Sequence, residues 1–349
     1  MSEGVYRGVA VPECPPIDKA VARVLAERAL GASLPVIQFW NHPICSREQL
    51  TAWETDDVLA IDLGAEKYHS AGKQSAAEMV AELFYTNLSD LPPAVSRLLE
   101  IVAKNNQTGY LKGFPYSMAW TMRELYKLPG YDHHEVFDRA GEVIHTWLEA
   151  QESTSDTAYC DEGHIAEIFN KVDRHRQFGP FSVSRYIRDL WQLGNDIDEI
   201  TEEAGFWVDG HDRAKAAIED GKREFATMAK TSFVVNDLIC TALETDNPFV
   251  IKAGSYACDI LVAKNSRTGQ AVIMTKKANT APLARELRTR EGELWYHQAS
   301  QGIVLNGGFM YSGLTPTALS LETLVELVQQ FPPVKQPHQQ SRHTLRMEQ

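Results

Sequence analysis

The stretch DDVLAIDLG, Asp56 to Gly64, reads as a short apolar strand that ends on an acid, and the architecture can be worked out from it in both directions. An apolar run of this length between turn residues marks a strand buried on both faces. Such strands belong to parallel sheets covered by helices. The flanking sequence agrees. Upstream, GVAVPE is a second short apolar run, IDKAVARVLAERAL (residues 17–30) has helical spacing, and LPVIQFW (residues 34–40) reads as a buried strand. Downstream, SAAEMVAELFYTNL and LPPAVSRLLEIVAKN return to helical spacing, the latter opening with proline. This order predicts an α/β fold with a mostly parallel N-terminal sheet and helices on both its faces.

Further along, the pattern changes. From Tyr131 to about Met228 it is helical and polar, with irregular stretches such as STSDTAYCDEGH and RHRQFGPFS, and predicts a helical connector with an insertion. Strand signals return in PFVIKA, CDILVAKN and QAVIMTKK, the last two joined by a tight SRTG turn. With helices expected at TAPLARELRTREG and at SLETLVELVQQF, capped by Ser320, they predict a smaller C-terminal α/β domain. The expected division is 1–128, 129–240, 241–331 and a disordered tail, 332–349, that is polar and Pro-rich. No internal repeat is expected.

The whole composition bounds the function. A length of 349 residues suggests two or three domains. No window approaches the apolar length of a membrane span. MSEGVYRGVAVPE lacks the layout of a secretory signal, which predicts a cytoplasmic protein. Five scattered cysteines without a Cys-x-x-Cys pair argue against a disulfide framework and a zinc cluster. A formal charge of −13 repels polyanions, so a nucleotide or nucleic-acid contact needs a local basic groove.

The letters Asp132-His133-His134 invite a metal reading. Helically spaced apolar residues follow at once, from Val136 to Leu148, so Asp132 reads as an N-cap with Glu135 as its capping-box partner. A metal-binding carboxylate of this kind would follow a buried strand, and LPGY is a turn.

The surrounding segment SMAWTMRELYKLPGYDHHEVFDRAGEVIHTWLEAQ nevertheless resembles the stretch after the metal motifs of the DHH phosphoesterase superfamily, melanocyte-proliferating-gene type. VLAIDLG is similar to that family's strand ending in aspartate, EKYHSAGKQSAAEMVAE to its Arg-Phe-Asp-His-His segment, and IVAKNNQTG to its Asp-Asn-Gly turn. WYHQASQGIVLNGGFMYSGLTPTALSLETLVELV resembles its His-Ala-Ser-Gly-Phe and Gly-Gly segment with the last helix. The resemblance implies metal positions at Asp18, Asp62 and His69. It implies ligand-binding positions at Asn105, Asn106, His297, Asn306, Gly307 and Gly308. A bound cation would be manganese or magnesium, and the ligand a nucleotide or a nucleic-acid end.

The departures from the family are chemical. VPECPPIDKAVA offers only Asp18 where the family has a His and paired aspartates; Ser70 and Ala71 follow His69 in place of imidazoles; Asn105 stands for an aspartate. An amide does not neutralise a dication, and two hard cations need several anionic ligands. An eroded metal centre follows, in a non-catalytic binding or scaffold protein. The insertion from about Ser153 to Gly210 also separates parts that are nearly contiguous in the family. The alternatives are an active metal-dependent phosphodiesterase or exonuclease drawing on other ligands such as His42 or Glu13, and an unrelated protein-interaction module. A protein partner or a homo-oligomer is compatible with each, a membrane with none.

Four further features are weighed between a ligand role and ordinary structure. Asp62 ends a strand where open α/β sheets bind ligands. LNGGF can bring backbone N–H groups to an anion, and a site is expected between the domains with Asp62 on one wall and Asn306, Gly307 and Gly308 on the other. Lys276 and Lys277 with Arg285, Arg288 and Arg290 read as a solvated basic face. His164, Glu167, Asp173 and His175 read as a surface helix. No nucleophile elbow, Walker loop or dinucleotide fingerprint is present.

Overall fold

A computed structural model describes residues 6–42, 45–63, 74–85, 91–153, 168, 171–172, 179–275, 278–298, 302–307 and 312–335. The chain divides into two compact units, residues 1–216 and 217–349. Both are α/β.

In the first unit β1 (Gly8–Pro12) lies between β2 (Val36–Trp40) and β3 (Val58–Ala60), and both pairings are parallel. The connections are α1 (Ile17–Leu30) and α2 (Arg47–Thr55). Alternation along the strands sorts the side chains to two faces. Val9, Val11 and Leu59 point into the main core with α1, α3 (Ala76–Phe84) and α4 (Pro93–Thr108); Ala10, Val58 and Ala60 meet Trp53 of α2 on the other face. Helices therefore cover both faces, as expected. LPVIQFW is a strand, but an edge strand: Ile37 is 44% exposed. The helix α2 has no counterpart in the sequence expectation. Only Trp53 of its nine residues is buried, so no apolar stripe announces it, and its start is set by Ser46 accepting from the Gln49 amide at 3.2 Å.

Two helical hairpins also belong to this unit. The first is α5 (Met118–Leu125) with α6 (His133–Glu152); the second is α7 (Val183–Gln192) with α8 (Ile197–Thr227), whose C-terminal end belongs to the second unit.

The second unit is built on a six-stranded sheet in the order β4-β5-β6-β7-β10-β9. Its strands are β4 (Thr231–Val235), β5 (Leu238–Glu244), β6 (Ile260–Lys264), β7 (Ala271–Thr275), β9 (Tyr296–Gln298) and β10 (Ile303–Asn306). Among the described residues of this sheet only the β5–β6 pairing is parallel, and its crossover is α9 (Pro248–Ala257). A further short pair joins β8 (Ala278–Asn279) to β11 (Val334–Lys335). Two helices, α10 (Ala281–Glu291) and α11 (Leu321–Gln330), pack on one face around the fully buried Trp295.

Two sequence expectations are corrected here. PFVIKA is helical, because Asn247 accepts from the Phe249 amide at 2.9 Å and Pro248 sits at the first helical position, where its missing N–H costs nothing. The β4–β5 hairpin begins before the expected return of strand. Its two-residue turn places Asn236 and Asp237 at φ 49° and 59°, the left-handed geometry of a tight hairpin. The β6–β7 hairpin over SRTG and the Ser320 cap of α11 match the expectation. Among the described residues no helix is long and apolar enough to cross a membrane.

Candidate functional site

The C-terminal edge of the parallel sheet brings together two of the expected residues. Asp18 stands in the first turn of α1, directly after β1, and Asp62 follows β3 with φ 54°, a left-handed conformation that aspartate tolerates. Between them lies Lys19, which the sequence does not single out. Its ammonium is 2.7 Å from Asp18 Oδ2 and also pairs with Asp62 Oδ2. Asp18 and Lys19 are both buried, and Asp62 nearly so.

Electrostatics hold the lysine charged. Burial alone would drive its proton off, but the two carboxylates outweigh burial and raise its pKa above the ordinary value. The other oxygen of Asp18 accepts from the Ala77 amide at 3.2 Å, in the first turn of α3, where unpaired N–H groups and the helix dipole favour an anion. Ser75 and Glu78 close that helix start with a reciprocal capping box.

The cluster thus has two carboxylates, one ammonium and a backbone amide, which satisfy each other. As a metal donor set it fits poorly: both carboxylates face a resident cation. Among the described residues no group of three or more His, Cys, Asp and Glu side chains has metal-binding geometry. His69 lies outside the described residues, as do Gly308, Lys276, Lys277, His164, Glu167, Asp173 and His175. His42 stacks at a tilt on Trp40, with centroids 5.6 Å apart, and the Glu13 carbonyl meets His133 Nδ1 at 3.1 Å.

The remaining expected positions occur elsewhere. Asn105 and Asn106 are on the last turns of α4; Asn105 Oδ1 accepts from the Leu111 amide at 3.0 Å, and the turn after the helix is made by Gly109 at φ 67°. His297, Asn306 and Gly307 belong to the second unit. His297 Nε2 is 3.0 Å from Thr280 Oγ1, and burial, with help from Arg288, lowers its pKa. Asn306 is fully buried and donates through Nδ2 to the carbonyls of Leu294 and Thr315, at 2.9 and 2.8 Å. Gly307 has φ 82°, and a Cβ there would stand 2.3 Å from the Gln270 amide nitrogen. That amide holds the following loop through the carbonyls of Ser312 and Leu314.

Asp132 caps α6, accepting from the His134 amide at 2.7 Å. The expected capping box does not form as written: Glu135 pairs instead with Arg139, one turn on. His133 lies between the Glu13 and Tyr126 carbonyls, and the His134 ring meets that of Phe39 at 4.6 Å.

No family model matches the sequence, and no curated protein matches it. Solved structures similar in fold include RecJ from Thermus thermophilus in complex with Mg²⁺, at 13% identity, covering 94% of this chain and 50% of that one, with a TM-score of 0.41. The same protein with Mn²⁺ gives 12%, 94%, 53% and 0.44. The pGpG-specific phosphodiesterase PggH from Vibrio cholerae gives 14%, 87%, 93% and 0.38. The chain spans about half the length of the RecJ structures it matches. At these values the likenesses carry no inference about activity.

Proposed function

We propose that this chain is a DHH-phosphoesterase-like protein in which Lys19 holds the place of a metal cation, and that it binds a nucleotide or a nucleic-acid end without hydrolysing it. The observation that carries the non-catalytic part is the Lys19 ammonium seated between Asp18 and Asp62 at the C-terminal edge of the parallel strands. A monovalent, tethered cation balances buried carboxylates but offers no open coordination position to activate water. The nature of the ligand rests on the sequence resemblance around Asp62 and the Gly307 turn.

The test is calorimetric and enzymatic together. Mn²⁺ titrated into the wild-type protein is expected to give no heat of specific binding, and short oligonucleotides and dinucleotides are expected to survive incubation with Mn²⁺. Lys19→Ala vacates the position and is expected to create weak Mn²⁺ binding that a second change, Asp62→Ala, removes. Robust Mn²⁺-stimulated turnover by the wild type, lost in Asp62→Asn, would sink the non-catalytic reading and establish the active phosphodiesterase in its place.

A further inference from the structure

The two helical hairpins of the first unit repeat one another, against the expectation from sequence. PYSMAWTMRELYKLPGYDHHEVFDRAGEV, from Pro115, and PFSVSRYIRDLWQLGNDIDEITEEAGFW, from Pro180, align once Pro129 is passed over. Each begins with proline and an aromatic residue at positive φ, Tyr116 at 47° and Phe181 at 55°. A buried serine then caps a short helix: Ser117 accepts from the Trp120 amide and Ser182 from the Arg185 amide. Gly130 and Gly194, at φ 88° and 85°, turn the chain. An aspartate caps the long helix that follows, Asp132 in one copy and Asp196 in the other.

Contacts between the copies define a local two-fold axis. The Met118 amide donates to the Phe181 carbonyl at 2.9 Å, and the equivalent Val183 amide donates to the Tyr116 carbonyl at 3.2 Å. Arg139 and Glu203, equivalent to each other, pair at 2.9 Å. Residues that meet their own counterparts lie on a two-fold axis. Off the axis the contacts are reciprocal: the Tyr116 ring packs on His211 and the Phe181 ring on Trp147, which are counterparts.

The outward faces differ in what covers them. On the first hairpin Arg23 of α1 lies against Gly141, where a Cβ would stand 2.2 Å from its Nη2, and pairs with Asp138. Phe39 of β2 packs on His133 and His134. On the second hairpin the counterparts are Gly205, Glu202, Ile197 and Asp198. No described atom lies within 4 Å of the place a Cβ on Gly205 would take. Ile197 is 37% exposed and, with Trp191, borders a recess of 440 Å³. Glycine in a helix interior is unfavourable unless close approach requires it. Gly141 has that approach, and Gly205 keeps the space for it.

We propose that this face of α8 is a docking groove for a helix of a partner protein that sets an arginine over Gly205 and an apolar side chain into the Trp191–Ile197 recess. Charge complementarity selects a cationic helix: Asp198 and Glu202 are exposed along the face, where the first hairpin has His134 and Asp138, while Asp209, one turn further, already lies near this chain's own Lys171. The two positions, eight residues apart, are separated by about 12 Å of helix. This chain's own Arg23 and Phe39 are engaged with α6 and are not the occupant. The inference is independent of the reading of the Asp18, Lys19 and Asp62 cluster, since no residue of the groove belongs to it.

The probe is a labelled peptide with the sequence of α1, IDKAVARVLAERAL, whose parent helix sets Arg23 over the matching glycine of the first hairpin. Titrated with the full chain at low ionic strength, it is expected to bind. Gly205→Leu is expected to weaken binding at least tenfold without lowering the thermal midpoint, and alanine in the peptide at the position of Arg23 to weaken it similarly. Absence of binding, or binding indifferent to Gly205→Leu, would overturn the groove. Self-association of the wild-type chain abolished by Gly205→Leu would assign the groove to a second copy and overturn the separate partner. The ion pair on the axis has its own check: in a double-mutant cycle Arg139→Ala and Glu203→Ala should be coupled in their effect on the midpoint, and independent effects would remove this pair as a contact across the axis.

Discussion

Gly141 and Gly205 hold the same position in two hairpins, one beneath the guanidinium of Arg23 and the other with no described neighbour within reach of a Cβ. The inward positions tell the opposite story. Val136 and Ile200, Ala140 and Ala204, and Ile144 and Val208 are buried in both copies. Even the acids Glu124 and Asp189 are buried in parallel, each beside a basic residue of its own helix. The inner face is constrained by the packing of one hairpin on the other, so counterpart residues remain interchangeable in kind. The outer face is constrained only by its neighbours, and there the sequences part.

The largest expected contrast is in acid. His211 is pushed down to about 4, chiefly by burial and further by Lys215, while its counterpart Trp147 has no proton to take. The folded state therefore prefers the neutral imidazole, and the unfolded chain takes up the proton first. Stability present above pH 6.5 should fall as pH drops toward 4, by at most about 3 kcal/mol. Burial raises the Asp189 carboxyl to about 7, which acts with the opposite sign, so the measurement is the difference between wild type and His211→Gln. Relative to the variant the wild type should lose stability between pH 7 and 4.5, and a difference that does not move with pH would remove this contribution. Next in size, Gly141→Ala forces a methyl group against a guanidinium pinned by Asp138 and Phe137, and should cost about 2 kcal/mol in denaturant unfolding. The caps should behave alike: Asp132→Ala and Asp196→Ala should each cost about 1 kcal/mol, and clearly unequal losses would break the equivalence of the two helix starts. Smallest is Gly205→Ala, which should raise stability by about 0.5 kcal/mol, the reverse of its twin.

These contrasts also explain what can be read in advance. The apolar runs of β1 and β3 and the amphipathic α1 announce a parallel sheet and put Asp62 at the C-terminal end of one of its strands, whereas Asp18 is picked out only by the family resemblance. Lys19 is not legible as their bridge, because neighbours in a helix do not ordinarily face one another and Asp62 arrives from a distant strand. PFVIKA misleads because a short apolar run suits strand or buried helix equally, and the deciding signal is the Asn247-Pro248 pair before it. The repeated hairpin is hidden because Pro129 breaks the register and because its partners differ in chemistry, Tyr116 for Phe181 and His211 for Trp147. What recurs is conformation: a left-handed aromatic, a serine cap, a glycine turn and an aspartate cap.

Lys19 joins two carboxylates through a covalent tether, and that sets it apart from any dissolved counter-ion. On the proposed reading, in which Lys19 takes the place of a metal, a chelator has nothing to extract and dilution leaves the local concentration of the cation unchanged. The same reading expects the edge of the sheet to keep its charge in metal-rich and metal-starved surroundings. Its carboxylates lose their cation only when the solution becomes alkaline enough to strip a proton from a lysine whose own affinity for it has been raised.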